Sequence, residues 1–109
     1  MKTIILIAFL VISNIVLSQR VFEVKYESQA TIKVFEVKYE SQADLIVYKT
    51  NYQSRANKDG IWFFTDYQTH TQFTIFFVKY ESQADLKIYY TNHESRAGWR
   101  NPSKKYMLN

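Results

Sequence analysis

The chain has 109 residues, no cysteine, two glycines and one proline, 17% aromatic residues and a formal net charge of +4. That length allows one domain at most, and the lack of thiols excludes disulfide staples and thiolate metal centres. Residues 19–95 hold all ten acids and nine bases, so the positive charge belongs to Arg96, Arg100, Lys104 and Lys105 near the end; a near-neutral body lacks the basic stripe of a nucleic-acid-binding fold.

The first element is a leader at residues 1–18. Lys2 precedes an apolar run from Thr3 to Leu17, broken only by Ser13 and Asn14, and then the small residue Ser18. These flanks fit a secretory signal peptide cut near Ser18–Gln19, and the run is shorter than the roughly 20 apolar residues of a membrane span. The expected location is secreted or periplasmic, with membrane contact only if the leader stays uncleaved.

Residues 19–97 form a repeat array. Val21 to Ala30 recurs letter for letter as Val34 to Ala43, and Val78 to Leu86 repeats Val37 to Leu45. With a hydroxyl residue as marker, Ser28, Ser41, Ser54, Thr69, Ser82 and Ser95 are spaced 13, 13, 15, 13 and 13 apart, and the longer interval holds the loop-like Asn57-Lys-Asp-Gly60. Position 1 of the six units is apolar (Val21, Val34, Val47, Trp62, Ile75, Ile88), position 2 is always aromatic, position 4 is Val or Thr, and position 6 is Tyr except for His93. Even positions thus make a period-2 apolar face of strand-forming residues, which places Tyr26, Tyr39, Tyr52, Tyr67 and Tyr80 on the buried side. Ser41 to Asp44 and Ser82 to Asp85 resemble a capping box that opens a helical turn, with Asp44 and Asp85 in its first turn.

These motifs resemble those of small uncharacterised bacterial secreted proteins with tandem Tyr-x-Ser-Gln-Ala-Asp-Leu-Lys repeats, a domain of unknown function. Tyr80-Glu-Ser-Gln-Ala-Asp-Leu-Lys87 and Ala97-Gly-Trp-Arg-Asn101 carry the likeness, from which the Tyr67 to Phe73 copy departs. The resemblance implies secretion and a repeat, and no chemistry.

A fixed short period marks units that cannot bury an apolar face alone. The expected fold is mainly β, with 13-residue strand-plus-helical-turn repeats in a parallel β-solenoid, favoured over an antiparallel meander. Stacking identical units would set Glu23 on Glu36 and Lys25 on Lys38, whereas the meander would pair Glu23 with Lys38. Residues 98–109 depart from the repeat and read as a basic C-terminal cap or tail.

No catalytic or cofactor signature emerges. His70 and His93 occupy repeat positions filled elsewhere by Gln or Arg and by Tyr, and six serines in one row do not make a nucleophile. Two glycines cannot build phosphate loops or a calcium β-roll. No cofactor, metal or nucleic acid is expected, and the chain reads as a non-enzymatic extracytoplasmic repeat module that binds a protein or surface component. A structural or self-assembling envelope protein is the alternative. Position 3 runs Glu23, Glu36, Lys49 and then Phe64, Phe77, Tyr90. With Trp62, the three later rings suggest a contiguous apolar interaction patch, unless Trp99, Tyr106, Met107 and Leu108 fold back over them.

Overall fold

The computed structural model describes residues 19–108, and the expected leader lies outside them. The strands are β1 (Arg20–Glu23), β2 (Ile32–Glu36), β3 (Leu45–Lys49), β4 (Ile61–Phe64), β5 (Phe73–Phe77), β6 (Leu86–Tyr90) and β7 (Gly98–Trp99). After each of β1 to β6 comes a three-residue 3-10 turn, the first at Glu27–Gln29, and the tail forms a longer one at Pro102–Leu108. The repeated serine lies inside its turn and is not the cap that the motif suggested. The position-6 residue precedes the turn, with no side-chain cap bond. Backbone bonds such as Gln29 N–H to the Tyr26 carbonyl (3.0 Å) and Ala30 N–H to the Glu27 carbonyl (3.1 Å) close the turn unaided.

The strands do not stack as a solenoid. They pair in the order β4-β1-β5-β2-β6-β3, and β3 pairs back to β4, which closes a six-stranded barrel with all strands parallel. The mainly β character and parallel direction agree with the sequence reading, whereas open stacking and the antiparallel meander do not. The only antiparallel pairing among the described residues is the short β7 against the start of β3.

Strand order explains the single long interval. From β1 to β2 and from β2 to β3 the chain skips one place in the barrel, and β5 and β6 fill the gaps. Three such skips would bring a fourth strand back onto β1. The two extra residues fall where the rule breaks, because β4 lies directly beside β3, and the second lap then falls between the strands of the first. Gly60 makes this bend: its φ is +92°, and a Cβ there would meet the Ile46 carbonyl oxygen at 2.6 Å. The turn after β1 packs on β5 and that after β2 packs on β6, so first-lap connections cross second-lap strands. The return path from β4 to β5 passes the place of β1. Each lap therefore holds the other in, a threading that most folds avoid.

Register builds the core. Val21 lies opposite Phe73 but Ile75 opposite Ile32, and Val34 lies opposite Leu86 but Ile88 opposite Leu45, a shift of two residues per strand. With a rise of about 3.3 Å per residue and strands about 4.8 Å apart, that stagger tilts them by roughly 55° from the axis. It also brings the same position of all six units to one height. The middle ring is position 1, and Val21, Val34, Val47, Trp62, Ile75 and Ile88 are each 0% exposed. Below it lie Gln19, Phe73, Ile32, Leu86, Leu45 and Gly60. The Trp62 indole Nε1 donates to Gln19 Oε1 (3.1 Å), and its ring meets Phe73 edge-on at 5.5 Å.

The tyrosines expected on the buried face are exposed. Odd positions point into the barrel, and crossing turns cover the outer wall, so Val24, Val37 and Val78 at position 4 are also buried. A strand covered on both faces carries apolar residues on both, and alternation cannot say which is the core. The strands end at position 3, and the position-6 tyrosines lie beyond them at 58–67% exposure.

The tail closes the end where the strands begin. Leu108 joins the core at 3% exposure, and Trp99 Nε1 donates to Asp59 Oδ2 (2.9 Å). Asp44 and Asp85, expected in helical first turns, instead precede strands and accept backbone N–H groups of Lys87 (2.9 Å) and Lys33 (3.0 Å). Burial alone would raise the Asp44 pKa, but the Lys87 N–H, the Asn101 amide and the Lys104 ammonium outweigh it and lower the value. Asp44 thus pins the tail to two neighbouring strands.

Two outcomes follow. Trp62→Ala is expected to cost about 3–5 kcal/mol and Tyr39→Ala less than about 1 kcal/mol, read from equilibrium urea midpoints. Deleting Asn57 and Lys58, which makes every interval 13, is expected to abolish the dispersed amide NMR spectrum, whereas replacing them by Gly-Ser preserves it.

Candidate functional site

With parallel strands, all six C-terminal strand ends emerge on the side opposite the tail. The uppermost inward ring there is position 3, and in barrel order it reads Phe64, Glu23, Phe77, Glu36, Tyr90, Lys49. First-lap strands supply the charges and second-lap strands the rings. The change from charged to aromatic halfway along the chain thus becomes strict alternation around a mouth.

The residues expected to form one patch are only partly together. Trp62 is not at the surface; it lies one ring down, fully buried. Phe64, Phe77 and Tyr90 are half-buried against the core, and a charged side chain separates each from the next. The tail does not cover them, since it sits at the other end. Glu23, Glu36 and Lys49 belong to the site equally. They share the column that flagged the rings, but only strand order shows that the two sets interleave.

The mouth has two unlike halves. On one side the Lys49 ammonium lies 4.3 Å from the Tyr90 ring centre and 5.1 Å from that of Phe64, a cation–π arrangement inside the protein. On the other, Glu23 and Glu36 flank Phe77, and neither carboxylate forms an ion pair among the described residues. The Tyr90 hydroxyl is buried without a hydrogen-bond partner. Its pKa is pushed well above the usual phenol value, first by burial and then by the charges of Glu36 and Glu23. Beside the mouth, Tyr48, Lys49, Tyr90, Thr91 and Asn92 line an open cleft of about 420 Å³.

Outside the mouth the strands pass into a rim of exposed phenols, Tyr26, Tyr39, Tyr52, Tyr67 and Tyr80, with His93 in the sixth position. Lys25, Lys38 and Lys79 precede three of them. No group of three or more metal-ligating side chains occurs among the described residues, and no described helix is long and apolar enough to cross a membrane.

The Tyr90 environment has a pH signature. A phenol with a raised folded-state pKa keeps its proton where the unfolded chain has lost it, so its stabilising effect is present below about pH 10 and declines above it. Tyr90→Phe is therefore expected to lose less stability than the parent between about pH 9.5 and 11.5, measured by urea midpoints; equal losses would show that Tyr90 is not linked to folding.

A family model described as the 7(1) septoil knot domain matches residues 18–100. No curated protein and no solved structure matches the chain.

Proposed function

The chain belongs to the septoil knot domain family, whose description names a topology and no activity, and from the open end of its barrel we propose a non-enzymatic binding module. The module works outside the cytoplasm and engages a protein or surface component through the mouth and the tyrosine rim. The observation that carries this reading is the rim itself: five tyrosines at 58–67% exposure, placed by repetition around one end. Tyrosine offers a large, rigid, amphipathic contact at low entropic cost, which is why binding surfaces favour it. Solvent exposure alone gives no reason to repeat such a side chain.

The leader pattern at residues 1–18 supports export. Cleavage at Ser18–Gln19 would retain Gln19, which the fold needs: its side chain accepts from Gly60 N–H (3.0 Å) as well as from Trp62 and donates to Asp59 Oδ1 (2.7 Å). The self-assembly alternative draws on free strand edges, and a closed barrel offers few of them.

The purified mature protein is expected to co-sediment with envelope material from its own source cells and to cross-link to a component of it. Tyr26→Ser, Tyr39→Ser and Tyr80→Ser together should remove that binding while shifting the melting temperature by only a few degrees. Equal co-sedimentation by the triple variant would refute the role of the rim, and concentration-dependent fibres in electron micrographs would favour the structural alternative.

A further inference from the structure

We propose that the Asp59–Gly60 bond is a latent modification site, which closes to a succinimide and reopens as isoaspartate when this region unfolds, and that Gln19 and Trp99 hold the reacting groups back in the folded barrel. The inference goes beyond the binding role and concerns the lifetime of the fold. It starts from chemistry carried by the sequence. The chain has two glycines, and Gly60 alone follows an acid. A backbone nitrogen attacks the preceding aspartyl side chain most readily when its own residue has no Cβ to crowd it. In that step the Gly60 nitrogen bonds to Asp59 Cγ, and the hydroxyl of the protonated carboxyl leaves with the nitrogen's proton as water. A water molecule then adds to one of the two ring carbonyls. Addition at Cγ restores aspartate, whereas addition at the α-carbonyl carbon leaves a backbone that runs through Cβ and is one methylene longer.

One side chain holds both reacting groups. The Gln19 amide accepts from the Gly60 N–H (3.0 Å), which is the nucleophile, and donates to Asp59 Oδ1 (2.7 Å) on the electrophile. An amide can do this because it carries an acceptor oxygen and donor N–H groups together. The other carboxylate oxygen, Oδ2, accepts from Trp99 Nε1 (2.9 Å), with Lys105 Nζ 4.0 Å away. Ring closure removes the Gly60 N–H and one of the two carboxylate oxygens, so it must give up at least two of these hydrogen bonds. Gln19 is only 4% exposed and Gly60 is buried, which also keeps out the water that ring opening consumes. The place of the bond gives the reaction its consequence. It ends the connection whose length sets the strand order, and the backbone there packs closely, with the Ile46 carbonyl oxygen 2.6 Å from where a Gly60 Cβ would sit. An added methylene would displace β4 from its seam with β3 and move the carboxylate off Trp99, loosening the barrel and its tail together.

Prolonged incubation of the full mature chain at neutral pH, followed by peptide mapping with electron-transfer fragmentation, reads the Asp59 linkage directly. Isoaspartate is expected to accumulate in the guanidinium-unfolded chain and to form at least about tenfold more slowly in the folded one, where local opening must come first. Trp99→Phe, which removes one N–H and keeps an aromatic ring, and Gln19→Leu should each raise the folded-state rate severalfold. Ile88→Val, which loosens the core on β6 and touches no bond of the clamp, should leave that rate unchanged and so separates loss of the clamp from general loss of stability. Dispersed amide spectra identify the variants that fold; should Gln19→Leu fail, Trp99→Phe and the comparison of folded with unfolded parent still decide. Equal rates in the folded and unfolded parent would overturn the proposal, as would a parent-like rate in every clamp variant that folds, or acceleration by Ile88→Val equal to theirs.

Discussion

Everything in this fold depends on how far one unit carries the chain around the barrel. Thirteen residues return the backbone to the same height two strands further on, a third of a circle, with no net advance along the axis. A solenoid unit advances by one strand spacing, about 4.8 Å, and can be repeated without limit. A unit that only rotates meets itself after three copies. The two-residue insertion ending at Gly60 changes one rotation and lets the second set of three fall into the gaps of the first. Closure then follows: every inward position becomes a ring of six, position 1 becomes a fully buried layer, and the start of β3, which β4 does not reach, is covered by β7.

Parallel direction gives the two ends different chemistry. In an antiparallel barrel a repeated strand end would alternate between top and bottom. Here every copy delivers its position-3 side chain and its tyrosine to one mouth, and every position-1 approach, with Asp44, Asp59 and Asp85, to the other. The tail seals the second end through Leu108 and the Asp59–Trp99 bond, leaving the first open. Enzymes built on parallel barrels also act at the C-terminal strand ends; the shared geometry is an analogy of placement and implies no shared reaction.

Much of this is written in the sequence, and the rest fails for identifiable reasons. The units, their strands and the position of the odd loop can be read directly, because duplication leaves Val21 to Ala30 and Val34 to Ala43 identical. Strand partners cannot. β1 pairs with β4 and β5, dozens of residues away, and no local pattern records that choice. The tyrosines at position 6 look like core because the strand alternation continues through them, yet the strand has already ended at position 3. Phe64, Phe77 and Tyr90 stand out as an anomaly in their column, but their partners Glu23, Glu36 and Lys49 look like ordinary solvated charges until interleaving sets them alternately in one ring. Trp62 shows the reverse: a large aromatic in an apolar column reads as part of a surface patch, yet its indole is fully buried and bonded to Gln19.

A closed ring of six also constrains the gene. Tandem copies as alike as Val21 to Ala43 invite slippage during replication, which adds or removes whole units and in an open solenoid merely lengthens or shortens the rod. Here a seventh 13-residue unit would have no seat between existing strands, and loss of one would leave a slot lined by unpaired backbone on both sides. Copy number is therefore fixed by geometry, and this protein can diversify through substitutions within its units but not through their number.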